Sequence, residues 1–145
     1  MENTKKFADT AQYIVISMGE EQFGIDIKYI DNIVKMQHIT RVPNVASYIK
    51  GVINLRGEVL PVMSLRLKMG LEDDVTTKNT RIIILRLEQY GMIGIIVDEV
   101  KEVVTLATDE IEKSSKKGSF INGVGKHGEE LISLFDINAI VEENA

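Results

Sequence analysis

Gly123-Val124-Gly125-Lys126-His127-Gly128 has the G-x-G-x-x-G spacing that lets a backbone approach a dinucleotide pyrophosphate. That chemistry needs a parallel strand before the glycines and a helix after them, its N-terminus facing the phosphates. Glu130 to Leu134 follows instead and reads as a strand, so the segment is expected to be a glycine-rich hairpin. Metal chemistry has as little to work with. His38 and His127 are the only histidines, lie far apart in sequence, and have no cysteine to join them. Neither a metal nor a cofactor is expected. Asp98-Glu99 and Asp109-Glu110 are neighbouring carboxylates at expected turns, where water keeps both members ionised and neither becomes a general acid. No Gly-x-Ser-x-Gly elbow presents a nucleophile. The expectation is no catalytic residue and no enzyme.

Two other stretches suit binding. Asn54-Leu55-Arg56-Gly57 lies between two apolar segments. Gly57 can supply the positive φ of a tight turn, and Asn54 can bond its own backbone. Arg56 would then be held out, either as a solvated turn residue or as a planar fork for a carboxylate or carbonyl. Ile27, Ile30, Ile33 and Val34 recur at spacings of three and four. Such a stripe is core in an ordinary scaffold. Left at a seam, it is an aliphatic slot for a partner helix.

The elements that position these residues are mostly strands. Ile and Val dominate the apolar set while aromatics make up 6%, and β-branched side chains favour strands. Strands are expected at Gln12 to Met18, Gln22 to Ile27, Ile30 to Met36, Gly51 to Leu55 and Glu58 to Met63. A second set covers Arg81 to Leu87, Met92 to Val97, Val100 to Leu106, Phe120 to Val124 and Glu130 to Leu134. Short helices are expected at Ser64 to Met69 and Asp136 to Val141.

The two sets repeat each other. Phe23–Ile27 resembles Ile93–Val97, and Ile30–Val34 matches Val100–Val104 in the same register. Ser47–Val52 matches Ser119–Val124, and Val62–Leu65 matches Leu134–Ile137. The offset stays near about 70 residues, too long for a solenoid unit, so it describes two similar β modules. Each module holds about five short strands, the pattern of a small closed barrel. The expected fold is all-β: two packed five-stranded barrel subdomains with short helices, including a C-terminal one. The boundaries are subdomain 1 at 12–69, a polar connector at 70–79 and subdomain 2 at 80–141, and strands can exchange near the connector. Two barrels packed on each other should leave a groove at their seam.

Composition narrows the partners. The 145 residues are 44% hydrophobic and 27% charged, which suits one globular unit. A net charge of −5 disfavours nucleic acid and anionic lipid. A barrel for single-stranded nucleic acid would want a basic groove with stacking aromatics. Met1 to Lys6 has no apolar stretch behind its charges, and no apolar run approaches the roughly 18 residues of a membrane span. A cytoplasmic protein without direct membrane insertion is expected.

From Gln12 to Val141 the chain resembles the CheW family, the coupling proteins of bacterial chemotaxis. The most specific stretches are Ile49-Lys50-Gly51-Val52-Ile53-Asn54-Leu55-Arg56-Gly57-Glu58-Val59-Leu60-Pro61-Val62 and Gly94-Ile95-Ile96-Val97-Asp98-Glu99-Val100. The resemblance implies two packed SH3-like barrels and an adaptor without catalysis. Its partners would be the cytoplasmic tip of chemotaxis receptors and the regulatory domain of the histidine kinase CheA. It would be recruited to the inner face of the membrane through receptor arrays. Receptor contacts carried over by the resemblance are Ile27, Ile30, Ile33, Gly51, Asn54, Arg56, Gly57, Val97 and Val100, with kinase contacts at barrel ends not assigned to residues. Many relatives have Asp at the position of Ser64, and several have Glu at that of Asn32. Rival readings are an adaptor of the CheV type, which adds a receiver domain, and a nucleotide enzyme using Gly123 to Gly128.

Overall fold

The computed structural model describes residues 9–113 and 120–142. Met1 to Lys6 and Ser119, both used above, lie outside the described residues. The strands are β1 (Thr10–Met18), β2 (Glu21–Asp26), β3 (Ile30–Lys35), β4 (Ile49–Leu55) and β5 (Glu58–Ser64), followed by helix α1 (Leu65–Lys68). Then come β6 (Arg81–Leu87), β7 (Gly91–Val97), β8 (Glu99–Ala107), β9 (Glu112–Lys113), β10 (Ile121–His127), β11 (Glu130–Phe135) and helix α2 (Ile137–Val141). The expected strands are all present within a few residues. Strand β9 and two single-turn 3-10 helices, Ile27–Tyr29 and Thr108–Glu110, add to them.

Two sheets form, one ordered β8-β1-β2-β11-β10-β9 and the other β3-β6-β7-β5-β4. The division at 12–69 and 80–141 is therefore sequential and not spatial. Each repeat keeps its first hairpin and donates its remaining strands to the other sheet. The reason lies at the crossings: after β2 and again after β7 the chain turns away from its hairpin and pairs with the opposite one. The exchange is reciprocal. Gly24 of β2 lies opposite Leu134, and Gly94 of β7 lies opposite Val62, across matching parallel pairings. The helix starts match too. Ser64 Oγ accepts from Leu67 N at 3.1 Å, and Asp136 Oδ1 accepts from Ala139 N at 3.2 Å.

Strand alternation sorts the apolar residues into three cores. Val15, Val104, Leu106, Ile132 and Leu134 fill the six-stranded barrel. Ile53, Leu60, Val62, Ile82, Ile84 and Ile96 fill the five-stranded one. The largest core lies between them, with Ile16, Ile25, Ile83, Leu85 and Ile95 all fully buried. Each such side chain contributes roughly 1.5–3 kcal/mol on burial. Phe23 and Phe135 stack there with ring centroids 4.7 Å apart. The barrels are thus fixed relative to each other by ordinary hydrophobic packing.

Candidate functional site

A β-bulge in β3 builds one side of the seam. Ile30 lies opposite Leu85 and Asn32 opposite Ile84, which leaves Asp31 as the extra residue. In a regular strand Ile30 and Ile33 would point to opposite faces, because the side-chain period is two. The bulge restores the odd step, so both face the central core beside Leu85 and Ile83. Strand β8 repeats the device. Val100 pairs with Ile16 and Glu102 with Val15, leaving Lys101 extra and putting Val100 and Val103 on one face.

Ile27, Ile30, Ile33 and Val100 are half-buried against the central core, while Val103 is 54% exposed. Ile27 begins the 3-10 turn after β2, which Asp26 caps by accepting from Lys28 N at 3.0 Å. Val34 points the other way, into the five-stranded barrel. The helical-looking spacing of the stripe was produced by a bulged strand. Central-core side chains fill the seam, so in place of the expected open slot these residues form an apolar rim, half-buried at its margin.

Two of the expected contacts lie in the interior. Val97 is fully buried in the central core and has no surface to offer a partner. Gly51 is also buried, and its reason is structural: Thr40 exchanges backbone hydrogen bonds with Val52 at 2.9 and 2.8 Å, closing the five-stranded barrel. A Cβ on Gly51 would stand 2.1 Å from the Thr40 carbonyl oxygen. Conversely, Val103 is exposed on the same face as Val100 although it was not among the expected contacts. Its match to Ile33 across the repeat was the signal that could have found it.

Arg56 and Gly57 form the two-residue turn between β4 and β5, with φ of 54° and 87°. Positive φ at both positions gives the twist a tight hairpin needs, at a cost of about 1–2 kcal/mol for the non-glycine residue. Asn54 Oδ1 accepts from Gly57 N at 3.0 Å, so that oxygen serves the turn. Arg56 lies on a cleft of about 210 Å³ with Asp31, Leu55, Glu58, Arg86 and Met92. Arg86 Nη2 stands 3.0 Å from Asp31 Oδ1 in that cleft. Asp31 is the β3 bulge residue, so one bulge connects the apolar rim to the arginine cleft. Asn32 is turned inward on its own chain, its Oδ1 accepting from Ile33 N at 2.8 Å.

The residues first examined for chemistry fall elsewhere. Gly123 to Gly128 runs along β10 into its antiparallel hairpin with β11, not between a parallel strand and a helix. His38 and His127 are exposed. Among the described residues no group of three His, Asp or Glu could hold a metal ion, and no helix is long and apolar enough to cross a membrane.

Twin SH3-like barrels with an apolar rim and a charged cleft along one bulged strand form a scaffold of the protein-binding class. The chain belongs to the CheW-like domain family, which matches residues 12–145. The chemotaxis protein CheW of Bacillus subtilis is 35% identical over 137 residues, covering 91% of this chain and 87% of its own length. That of Klebsiella aerogenes is 31% identical over 135 residues, covering 90% and 81% respectively. The crystal structure of the scaffolding protein TtCheW from Thermoanaerobacter tengcongensis aligns with a TM-score of 0.85 at 31% identity, covering 94% of this chain and 95% of that one.

Proposed function

We propose that this protein is a chemotaxis adaptor that joins the cytoplasmic tips of methyl-accepting receptors to the regulatory domain of the kinase CheA. It performs no catalysis and acts in the cytoplasm, at the inner face of the membrane where the receptors hold it. The observation that carries the reading is membership of the CheW-like domain family over residues 12–145, and a pair of matched bulges supports the contact surface. They put Ile30 and Ile33 on one face of β3, and Val100 and Val103 on one face of β8.

A receptor tip is a helical hairpin bundle, and an apolar stripe on it would lie across this rim. Arg56, beside the rim, would take an acidic side chain or a carbonyl of the receptor. The kinase regulatory domain would bind a barrel end. With both partners on one rigid body, each is held near the other at high effective concentration, and individually weak contacts suffice. The seam core makes that body stiff, so a displacement of the receptor tip is passed on as geometry.

A reconstituted assay of receptor vesicles, kinase and this protein tests the reading. Arg56→Ala, Ile30→Asp and Val103→Asp should each reduce receptor-dependent kinase activation by about tenfold, with circular dichroism showing folded protein. Full activation by all three variants would refute the rim as the receptor site.

A further inference from the structure

The chain crosses between barrels twice, and the two crossings are held in different ways. After β2 the turn is held locally, by Asp26 accepting from Lys28 N. After β7 the crossing is a single residue, Asp98, between Val97 in the central core and the start of β8. Its carboxylate is gripped from both barrels. On the five-stranded side Arg66 of α1 donates from Nε to Oδ1 at 2.9 Å and from Nη2 to Oδ2 at 2.7 Å. On the six-stranded side the backbone N–H of Gly19, in the β1–β2 turn, donates to Oδ2 at 2.9 Å. Arg66 Nη1 also donates to the carbonyl of Glu72 at 3.3 Å, which draws in the connector. The side chains of Arg66 and Asp98 are only 21% and 29% exposed, so the fork is sheltered from water.

We infer that the Arg66–Asp98 pair is a positioning device for receptor binding: it sets where β8 leaves the crossing, and so where Val100 and Val103 stand relative to Ile30 and Ile33. This inference rests on the rim being the receptor site. A bidentate guanidinium–carboxylate fork fixes orientation as well as distance. Val97 is buried in the core, so a change at Asp98 is passed to Glu99 and Val100, where β8 begins against Ser17 and Ile16 of β1. A binding surface held to about 0.5 Å by its supporting contacts loses affinity when those contacts are removed. Among the described residues no ion pair reaches β3 from the opposite barrel, so its rim should be indifferent to the pair.

The test uses the whole protein with Asp98→Asn, Arg66→Gln, both together, and Arg66→Lys. Affinity is measured separately for receptor-containing vesicles and for the isolated kinase regulatory domain, well below each variant's melting temperature. Each single variant should weaken receptor binding about fivefold. The double variant should be no worse than the singles, Arg66→Lys should recover part of the loss, and kinase affinity should stay within about twofold. Equal loss towards both partners, or melting changes with receptor affinity intact, would overturn the inference. Ile30→Asp is the control. If it abolishes receptor binding while the pair variants do not, the positioning role fails and the rim stands. If Ile30→Asp itself binds receptor normally, the rim reading fails and this inference falls with it.

Discussion

The two barrels share the order of their matching strands and each is closed by backbone pairing, Thr40 with Val52 in the five-stranded one and β9 with β10 in the six-stranded one, yet the closure at Gly51 is the tighter. At Gly51 the obstacle to a side chain is the Thr40 carbonyl, and its φ is +145°. At the matching Gly123 the nearest atom is the Ile111 side chain at 2.9 Å, with the Glu112 carbonyl at 3.4 Å. The helix starts differ as well. Asp136 caps α2, while α1 is capped by the fully buried Ser64, with the carboxylate of Asp74 tucked in beside it. Repetition of sequence therefore fixes backbone positions, while Thr40 brings a closer backbone contact and the connector a buried carboxylate, Asp74, to one barrel.

Substitution of the paired glycines gives the largest expected difference. Gly51→Ala should cost about 3 kcal/mol or more and Gly123→Ala about 1 kcal/mol, read from urea denaturation. Equal losses would mean that the two closures are equivalent after all.

The helix starts come next. Burial holds the Asp74 carboxyl above its ordinary pKa, with the Ser64 hydroxyl and Lys50 opposing and Asp73 and Asp98 adding to the rise. Both of its oxygens are buried without a full hydrogen bond among the described residues. Ser64→Asp would set a second carboxylate beside it and should cost about 1–2 kcal/mol at pH 7, recovered by adding Asp74→Asn. Asp74→Asn alone sharpens the sign. The unfolded chain loses this proton near the usual pH of about 4 and the folded chain at a higher pH, so ionisation penalises the fold as pH rises. The variant should gain up to about 1 kcal/mol at pH 7, discounted for partial exposure, and nothing below about pH 3.5. Thermal melts across that range decide it. Asp98 behaves oppositely: its hydrogen bonds from Arg66 hold its pKa down, so its contribution is present at neutral pH and lost below about pH 4.

The smallest effect lies in the hairpin turns. Arg56 and Gly128 occupy matching positions with φ of 54° and 64°. Arg56→Gly should relieve strain and gain roughly 0.5 kcal/mol by thermal melting while lowering receptor-dependent activation. Loss of stability there would show that the arginine fork supports the fold itself.

Strand placement was legible because alternation is a local property, and Arg81–Leu87 was read to the residue. The turn at Arg56 was legible too, since Asn54 and Gly57 carry its chemistry in their types. Burial at the candidate site was less legible. Ile27, Ile30, Ile33 and Val100 are half-buried at the central core, while Val97 and Gly51 are buried outright, because burial depends on which sheet packs above a residue. The facing of Val103 and Asp31 was hidden for the same reason: a bulge shifts the facing of everything after it, and no residue type announces one.

The sequence alone determined ten of the eleven described strands, the doubling of the module and the places of both short helices, because each depends on neighbours along the chain. The exchange of hairpins between barrels, the grip of Arg66 on Asp98 and the division of apolar side chains into three cores were decided only in three dimensions. Those depend on contacts between residues tens of positions apart, and free energy gathered at such distances leaves no mark on local spacing.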